Sequence, residues 1–290
     1  MIERVIEMKK KKSTKGKKNL NKIPVQIIIN QIVLERCTGI EEALNDYFNN
    51  PNDVETVHQV RVKIRKLRGV LSFFKPLIVP LNYELIQTKL KNLANLFGDS
   101  READVFLEEI ELIEAFSQDQ ELPELKKILC EKKLASRFKL SQVLSKDIAI
   151  AEIQEIIDQI KKEELTDSQV SIKTKNYILR EIKRWIRKTQ KAVNTMTVSD
   201  PASIHEVRIR CKKIRYVLES VSFMLSDKDA KKLKTFETIQ DDLGMVHDAY
   251  VNHDFLKALP DPDFELQNEI SFFAGWQMGK ANHIMKRYQQ

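Results

Sequence analysis

His58-Gln-Val-Arg-Val-Lys-Ile-Arg-Lys-Leu-Arg68 lies over His205-Glu-Val-Arg-Ile-Arg-Cys-Lys-Lys-Ile-Arg215 without a gap, 147 residues further along a chain of 290. Such self-similarity constrains the fold more than any local pattern, because it makes the chain two related halves. Asp53 and Asp200 repeat as well, each five residues before its histidine and each suited to cap a helix N-terminus. A second pair of segments follows at the same stations. Leu-Phe-Gly98-Asp-Ser-Arg-Glu-Ala-Asp-Val105 matches Asp-Leu-Gly244-Met-Val-His-Asp-Ala-Tyr-Val251, with His-to-Gly distances of 40 and 39 residues. The halves, 23–167 and 168–290, meet near Thr166 to Ser171.

Apolar residues recur at three- and four-residue spacing beyond residue 22, as in Leu90, Leu93, Ala94 and Phe97 or Leu125, Ile128 and Leu129. Only seven glycines and eight prolines punctuate the chain, too few for an all-β fold with its frequent turns. The expected class is all-α. Breaks are expected at Gly39, Asn50–Asp53, Pro76–Pro80, Gly98–Ser100, Gln118–Pro123, Thr166–Ser171, Asn194–Pro201, Ser226–Asp229, near Gly244 and at Pro260–Pro262, which leaves roughly ten helices.

At about 100° per residue with His58 at zero, Arg61, Arg65 and Arg68 fall at about 300°, 340° and 280°. Val60, Ile64, Leu67, Leu71 and Phe74 form the adjacent apolar stripe that should face a core. The second copy repeats both stripes: His205, Arg208, Lys212 and Arg215 beside Val207, Cys211, Ile214 and Leu218. Residues 58 to 75 hold six basic residues and no acid, whereas a solvated helix face usually mixes signs to gain pairs four residues apart. Like charges in a row call for something negative across them, and guanidinium forks match phosphoryl oxygens better than they match a metal. Histidine adds a donor whose charge responds to pH near neutrality. Glu102, Asp104, Asp241, Asp242 and Asp248, around the two glycines, read either as ordinary caps and surface acids or as braces for the arginines.

The formal charge of +7 is carried by the N-terminal segment, where Lys9 to Lys12, Lys15, Lys17, Lys18 and Lys22 supply eight positive charges; subtracting them leaves −1. Cations in the body are therefore segregated, not in excess. Residues 1–22 are expected to be a disordered tail. The segment around Trp185 sets Arg180, Lys183, Arg184, Arg187 and Lys191 opposite Ile178, Ile182 and Ile186, either a widening of the basic surface or a solvated face. Cys37, Cys130 and Cys211 are isolated thiols, so neither a disulfide framework nor a zinc knuckle is indicated. No stretch approaches 18 apolar residues and Met1 to Met8 carries two glutamates, so neither secretion nor a membrane span is expected and a reducing cytoplasm fits.

Three other functions suit parts of the pattern. His247-Asp248 and His253-Asp254 are doublets of the kind metal-dependent phosphohydrolases use, but the two histidines are six residues apart and fall on different helix faces. A helical-bundle histidine could serve in a phosphorelay, although three cations behind each histidine look more like a cradle. A nucleic-acid binder would use the same basic stripes, yet few aromatics interleave with them.

The repeated His-x-x-Arg-x-x-x-(Arg/Lys)-Lys-(Leu/Ile)-Arg, with its Gly-containing segments some 40 residues on, resembles the CHAD family, the histidine α-helical domains. The resemblance covers nearly all of residues 25 to 290. It implies a single CHAD-like domain over 23–290, made of two four-helix bundles from an internal duplication with approximate twofold symmetry. It also implies a central basic groove or pore that binds inorganic polyphosphate without catalysis. On that resemblance His58, Arg61, Arg65 and Arg68, with His205, Arg208, Lys212 and Arg215, become the polyphosphate contacts, and Lys91 and Arg101 match further basic positions less closely. The chain departs from the pattern at Glu102, where aspartate normally stands, and at Glu237, which lies opposite Lys91. Expected accordingly are a standalone polyphosphate-binding protein of the cytoplasm, associated where they form with polyphosphate granules, no cofactor, no metal, and nucleic acid only as a weaker partner.

Overall fold

Ten α-helices form among the described residues, as the apolar spacing requires, and the computed structural model describes residues 23–117, 121–162, 165–166, 172–197, 199–259 and 262–288. The Lys-rich tail of residues 1–22 and most of the expected break at Thr166–Ser171 lie outside the described residues. In chain order the helices are α1 (Val25–Asn49), α2 (Val54–Phe74), α3 (Pro80–Leu96), α4 (Gly98–Phe116), α5 (Pro123–Val143), α6 (Lys146–Lys161), α7 (Thr174–Asn194), α8 (Pro201–Ser220), α9 (Asp227–Lys257) and α10 (Phe264–Met285). Single 3-10 turns follow α2, α8 and α10. No strand occurs among the described residues; one isolated antiparallel bridge joins Ile78 to Thr166.

Both motif helices start where their aspartates stand. Asp53 caps α2 by accepting from Glu55 N at 2.9 Å, and Asp200 accepts from Ala202 N at 3.0 Å and Ser203 N at 3.2 Å. Such caps each stabilise a helix end by about 1 kcal/mol. The expected apolar stripes are buried: Val60, Ile64, Leu67, Leu71 and Phe74 on α2, and Val207, Cys211, Ile214 and Leu218 on α8.

Two expected helix breaks are corrected. Gly39 lies inside α1 and Gly244 inside α9, and neither breaks its helix. Neither glycine is required by a close approach, since a Cβ on Gly39 would stand 3.7 Å from the Lys63 stem and one on Gly244 would stand 3.8 Å from Arg208 Nε, both ordinary contacts. Conversely, a break with neither glycine nor proline separates α5 from α6. There Ser145 caps α6, its hydroxyl accepting from Ile148 N at 3.3 Å.

The helices group into two compact units of interleaved segments, and their boundaries differ from the 167/168 division of the repeat. Of the described residues, the first takes those up to Ala94 with those of Ser145–Asn194 and Arg210–Glu237; the second takes those of Asn95–Leu144 and Thr195–Ile209 and those from Thr238 onward. In the first, α1 packs on α2 and α6 around Ile29, Ile40, Leu44, Val60, Ile64 and Ile153. In the second, α4, α5 and α10 enclose Phe106, Ile110, Leu125, Leu129 and Phe273. Buried Glu269 of α10 accepts from Leu125 N at 2.8 Å and Glu124 N at 3.2 Å, supplying the N-terminal amides of α5 with the acceptor that Leu122 cannot.

Candidate functional site

Within the first unit, α2 presents His58, Arg61, Arg65 and Arg68, all half-buried, as the sequence spacing requires. They differ in what holds them. Arg61 Nη1 donates to Ala94 O at 2.7 Å, meeting a carbonyl in the last turn of α3, where a cation is favoured by the helix dipole. Arg68 Nε donates to Gln87 Oε1 at 3.1 Å, and Gln87 returns a bond to Arg68 O at 3.0 Å. Arg65 has no hydrogen bond or ion pair among the described residues. Burial holds the Arg68 guanidinium below its ordinary pKa; Tyr83 opposes that shift and Arg65 adds to it.

The later half of the second motif, Lys212 and Arg215, belongs to the same unit. α2 and α8 meet where a Cβ on Gly69 would lie 3.3 Å from Tyr216 Cδ2 and 3.9 Å from the Lys213 Cα. That approach sets Lys213 near Arg68 and Arg210, and its ammonium is held below the ordinary lysine value by desolvation first and then by those two cations. Arg215 sits in the opposite field. Burial works against its charge, but Glu219, Tyr216 and Glu237 outweigh it and push the pKa up. Its Nη1 lies 3.2 Å from Glu237 Oε1 and 3.8 Å from Glu219 Oε1. Glu219 also reaches Lys66 of α2 at 3.0 Å, so this carboxylate bridges the two motif helices. Glu237, the acid found opposite Lys91 in the repeat, is thereby engaged with the last arginine of the second row.

The earlier half of that row lies in the second unit. His205 Nδ1 stands 3.3 Å from His247 Nδ1 with the ring centroids 4.5 Å apart, a contact in which one ring donates and the other accepts. Arg208 Nη2 lies 3.5 Å from Asp248 Oδ1. Sequence reasoning weighed His247 only as part of a phosphohydrolase doublet. The repeat carried a better signal, because His247 occupies the station of Arg101, three residues after the glycine in each half.

Of the acids expected as braces, Asp248 meets a motif arginine. Asp104 is buried beneath Lys133 at 2.7 Å and Arg137 at 3.6 Å, and Asp242 is held by Arg287 Nη2 at 2.9 Å and Tyr288 Oη at 2.8 Å, so these two secure helices of the second unit instead. Arg101 pairs with Glu108 of its own helix at 2.8 Å, and Lys91 is exposed on α3. Among the described residues no group of three His, Cys, Asp or Glu could hold a metal ion, and no helix is long and apolar enough to cross a membrane.

What this arrangement can do chemically is hold negative charge. In the first unit arginine forks and lysine ammonium groups stand near one another, so that Arg65 disfavours the charge of Arg68 and Arg68 that of Lys213, a repulsion that an oxyanion would relieve.

Comparison with known proteins follows the same line. A family model described as the CHAD domain matches residues 39–257. The crystal structure of the CHAD domain from the plant Ricinus communis aligns with a TM-score of 0.71 at 20% identity, over 89% of this chain and 87% of that one. PptA from Streptomyces chartreusis aligns with a TM-score of 0.70 at 14% identity, over 92% of this chain and 99% of that one. At those identities the likeness is one of fold. None of the curated proteins matches this chain in sequence.

Proposed function

This chain belongs to the CHAD-domain family, and from that premise we propose that it binds inorganic polyphosphate, without hydrolysing it, along the cations of α2 and α8. The observation that carries the reading is the concentration of positive charge on the two motif helices. Arg65 lacks any acid among the described residues, while Arg68 and Lys213 are both held below their ordinary pKa values. A near-neutral body that gathers like charges on two repeated helices is arranged for a partner of high negative charge density. Polyphosphate offers one charge per phosphoryl unit and no base or sugar to recognise, which suits rows rich in arginine and poor in aromatics.

Binding follows from electrostatics and geometry together. Guanidinium groups grip non-bridging oxygens in pairs, and each cation that replaces a condensed counterion makes affinity fall with salt, as for nucleic acids. Glu219 and Asp248 keep Arg215 and Arg208 oriented before the ligand arrives. The cytoplasm, with polyphosphate granules where they form, is the proposed place of action.

The competing reading is a phosphohydrolase working through His247, Asp248 and their neighbours. Incubating the protein with long-chain polyphosphate and magnesium or manganese, then measuring both retained complex and released orthophosphate, separates the two. Stable co-elution with chains of unchanged length is expected. Release of phosphate that vanishes in His247→Asn would overturn the noncatalytic reading.

A further inference from the structure

Among the described residues outside the two motif rows, α7 gathers a further concentration of exposed positive charge. This helix carries seven basic residues and a single acid, Glu181, which is itself buried and paired with Arg184 at 2.6 Å and Arg180 at 3.6 Å. Arg180, Lys183, Arg184, Arg187, Lys188 and Lys191 are all exposed. Measured from Arg180 at about 100° per residue, Arg184, Arg187 and Lys191 fall at about 40°, 340° and 20°, so they line up over about 16 Å of helix. Lys183 flanks the line at about 300°.

Like charges three and four residues apart each disfavour a helix by about 0.2–0.5 kcal/mol, and this face stacks several such pairs. The sequence repeat does not explain it. The 147-residue offset places α7 over residues 27–47 of α1, where Arg36 is the only basic residue and Glu35, Glu41, Glu42 and Asp46 are acidic. The face is thus a feature of one half alone.

Its possible occupants narrow on physical grounds. A membrane-surface helix inserts its apolar side, but Ile178, Ile182 and Ile186 of α7 are buried in the protein core. Base stacking needs exposed rings, whereas Tyr177 is buried and Trp185 packs edge-on against Phe73 of α2 at 5.4 Å. A polyanion gripped through its charges alone remains. α7 belongs to the same compact unit as the α2 row.

We propose that the exposed face of α7 is a second polyphosphate-binding row, occupied by chains long enough to engage it together with the motif helices. The proposal rests on the function proposed above and adds a chain-length preference to it. Engagement of two rows by one chain raises affinity through effective concentration without any new contact at either row. A short oligophosphate spans one row and gains nothing.

Titrations of long-chain polyphosphate, of tripolyphosphate and of duplex DNA and RNA at several salt concentrations test this, using wild type, Lys183→Gln/Arg187→Gln/Lys191→Gln and Arg65→Gln. The triple variant leaves Arg184 to hold buried Glu181. It is expected to bind long chains at least about tenfold more weakly, with a log–log salt slope reduced by about 2, and to bind tripolyphosphate within about twofold of wild type. Arg65→Gln is expected to weaken both ligands. If the triple variant binds long chains within twofold of wild type while Arg65→Gln does not, the second row is refuted and the proposed function stands. If the triple variant loses affinity only for duplex DNA or RNA, the face belongs to nucleic acid and the inference falls. If Arg65→Gln binds both phosphates normally, the proposed function itself fails.

Discussion

Gly69 and Tyr216 occupy the same station of the repeated motif, and they face each other across the crossing of α2 and α8, with only 3.3 Å between Tyr216 Cδ2 and the place a Gly69 Cβ would take. Two large side chains could not share that volume, and two glycines would leave it empty. One of each fills it, which brings the cations beside it close together.

Gly69→Leu is therefore expected to destabilise the protein by about 1–3 kcal/mol through overpacking. Gly69→Ala should be near neutral, because helix propensity gains about 1 kcal/mol against a tight contact. Adding Tyr216→Ala to Gly69→Leu should cost less than the two single changes summed, read from denaturant midpoints. Additive costs would show that the two residues do not meet.

Arg61 and Arg65 separate structure from binding within one row. Replacing Arg61 by Gln removes a charged hydrogen bond to Ala94 O and is expected to cost about 1.5–3 kcal/mol of stability as well as affinity. Arg65→Gln should leave the melting temperature within about 1 °C and lower the salt slope of polyphosphate binding by about 1. Melting curves and salt titrations of the two variants check both halves of the contrast.

Lys213 gives a pH dependence with a definite sign. Its folded pKa is depressed, by desolvation and then by Arg68 and Arg210, so the folded state resists its protonation and the unfolded state does not. The resulting destabilisation is fully present below the depressed value and disappears as pH rises from it toward 10.5. Lys213→Gln is expected to raise the melting temperature of the free protein at pH 7 by about 1–2 °C, with the difference shrinking as pH approaches the ordinary lysine value. A constant or reversed difference across that range would contradict the assignment.

Thiol chemistry checks the helix packing independently of any ligand. Burial pushes Cys37 and Cys211 up to about 12, whereas Cys130 is exposed on α5. One thiol is expected to react with an aromatic disulfide reagent in the native protein near pH 7.5, and all three in denaturant. Fast native reaction of Cys211 would mean that the apolar side of α8 is not in the core.

Much of this is legible in the sequence. Spacing of Val60, Ile64, Leu67 and their counterparts fixed which side of each motif helix enters the core, and Asp53 and Asp200 marked the helix starts, because helix periodicity and capping are local rules. Gly39 and Gly244 misled for a physical reason. A glycine inside a helix costs only about 1 kcal/mol, and the burial of the apolar faces of α1 and α9 outweighs it, which is invisible one residue at a time. The α5–α6 break lacked glycine and proline, so Ser145 was the only local cue. At the candidate site the basic rows were readable as charge on one face. The pairing of His205 with His247, the bridge through Glu219, and the diversion of Asp104 and Asp242 to other helices depend on contacts between segments far apart in sequence.

The most direct measurement is a titration of long-chain polyphosphate against RNA and DNA of matched total charge, with wild type and an Arg65→Ala/Arg208→Ala variant at one fixed salt concentration. The account predicts that wild type prefers polyphosphate, that the double variant loses at least about a hundredfold of that affinity, at about 1.5–3 kcal/mol for each charged contact, and that it keeps its helical spectrum. Equal affinity for all three polyanions, or an unchanged affinity in the double variant, would contradict it.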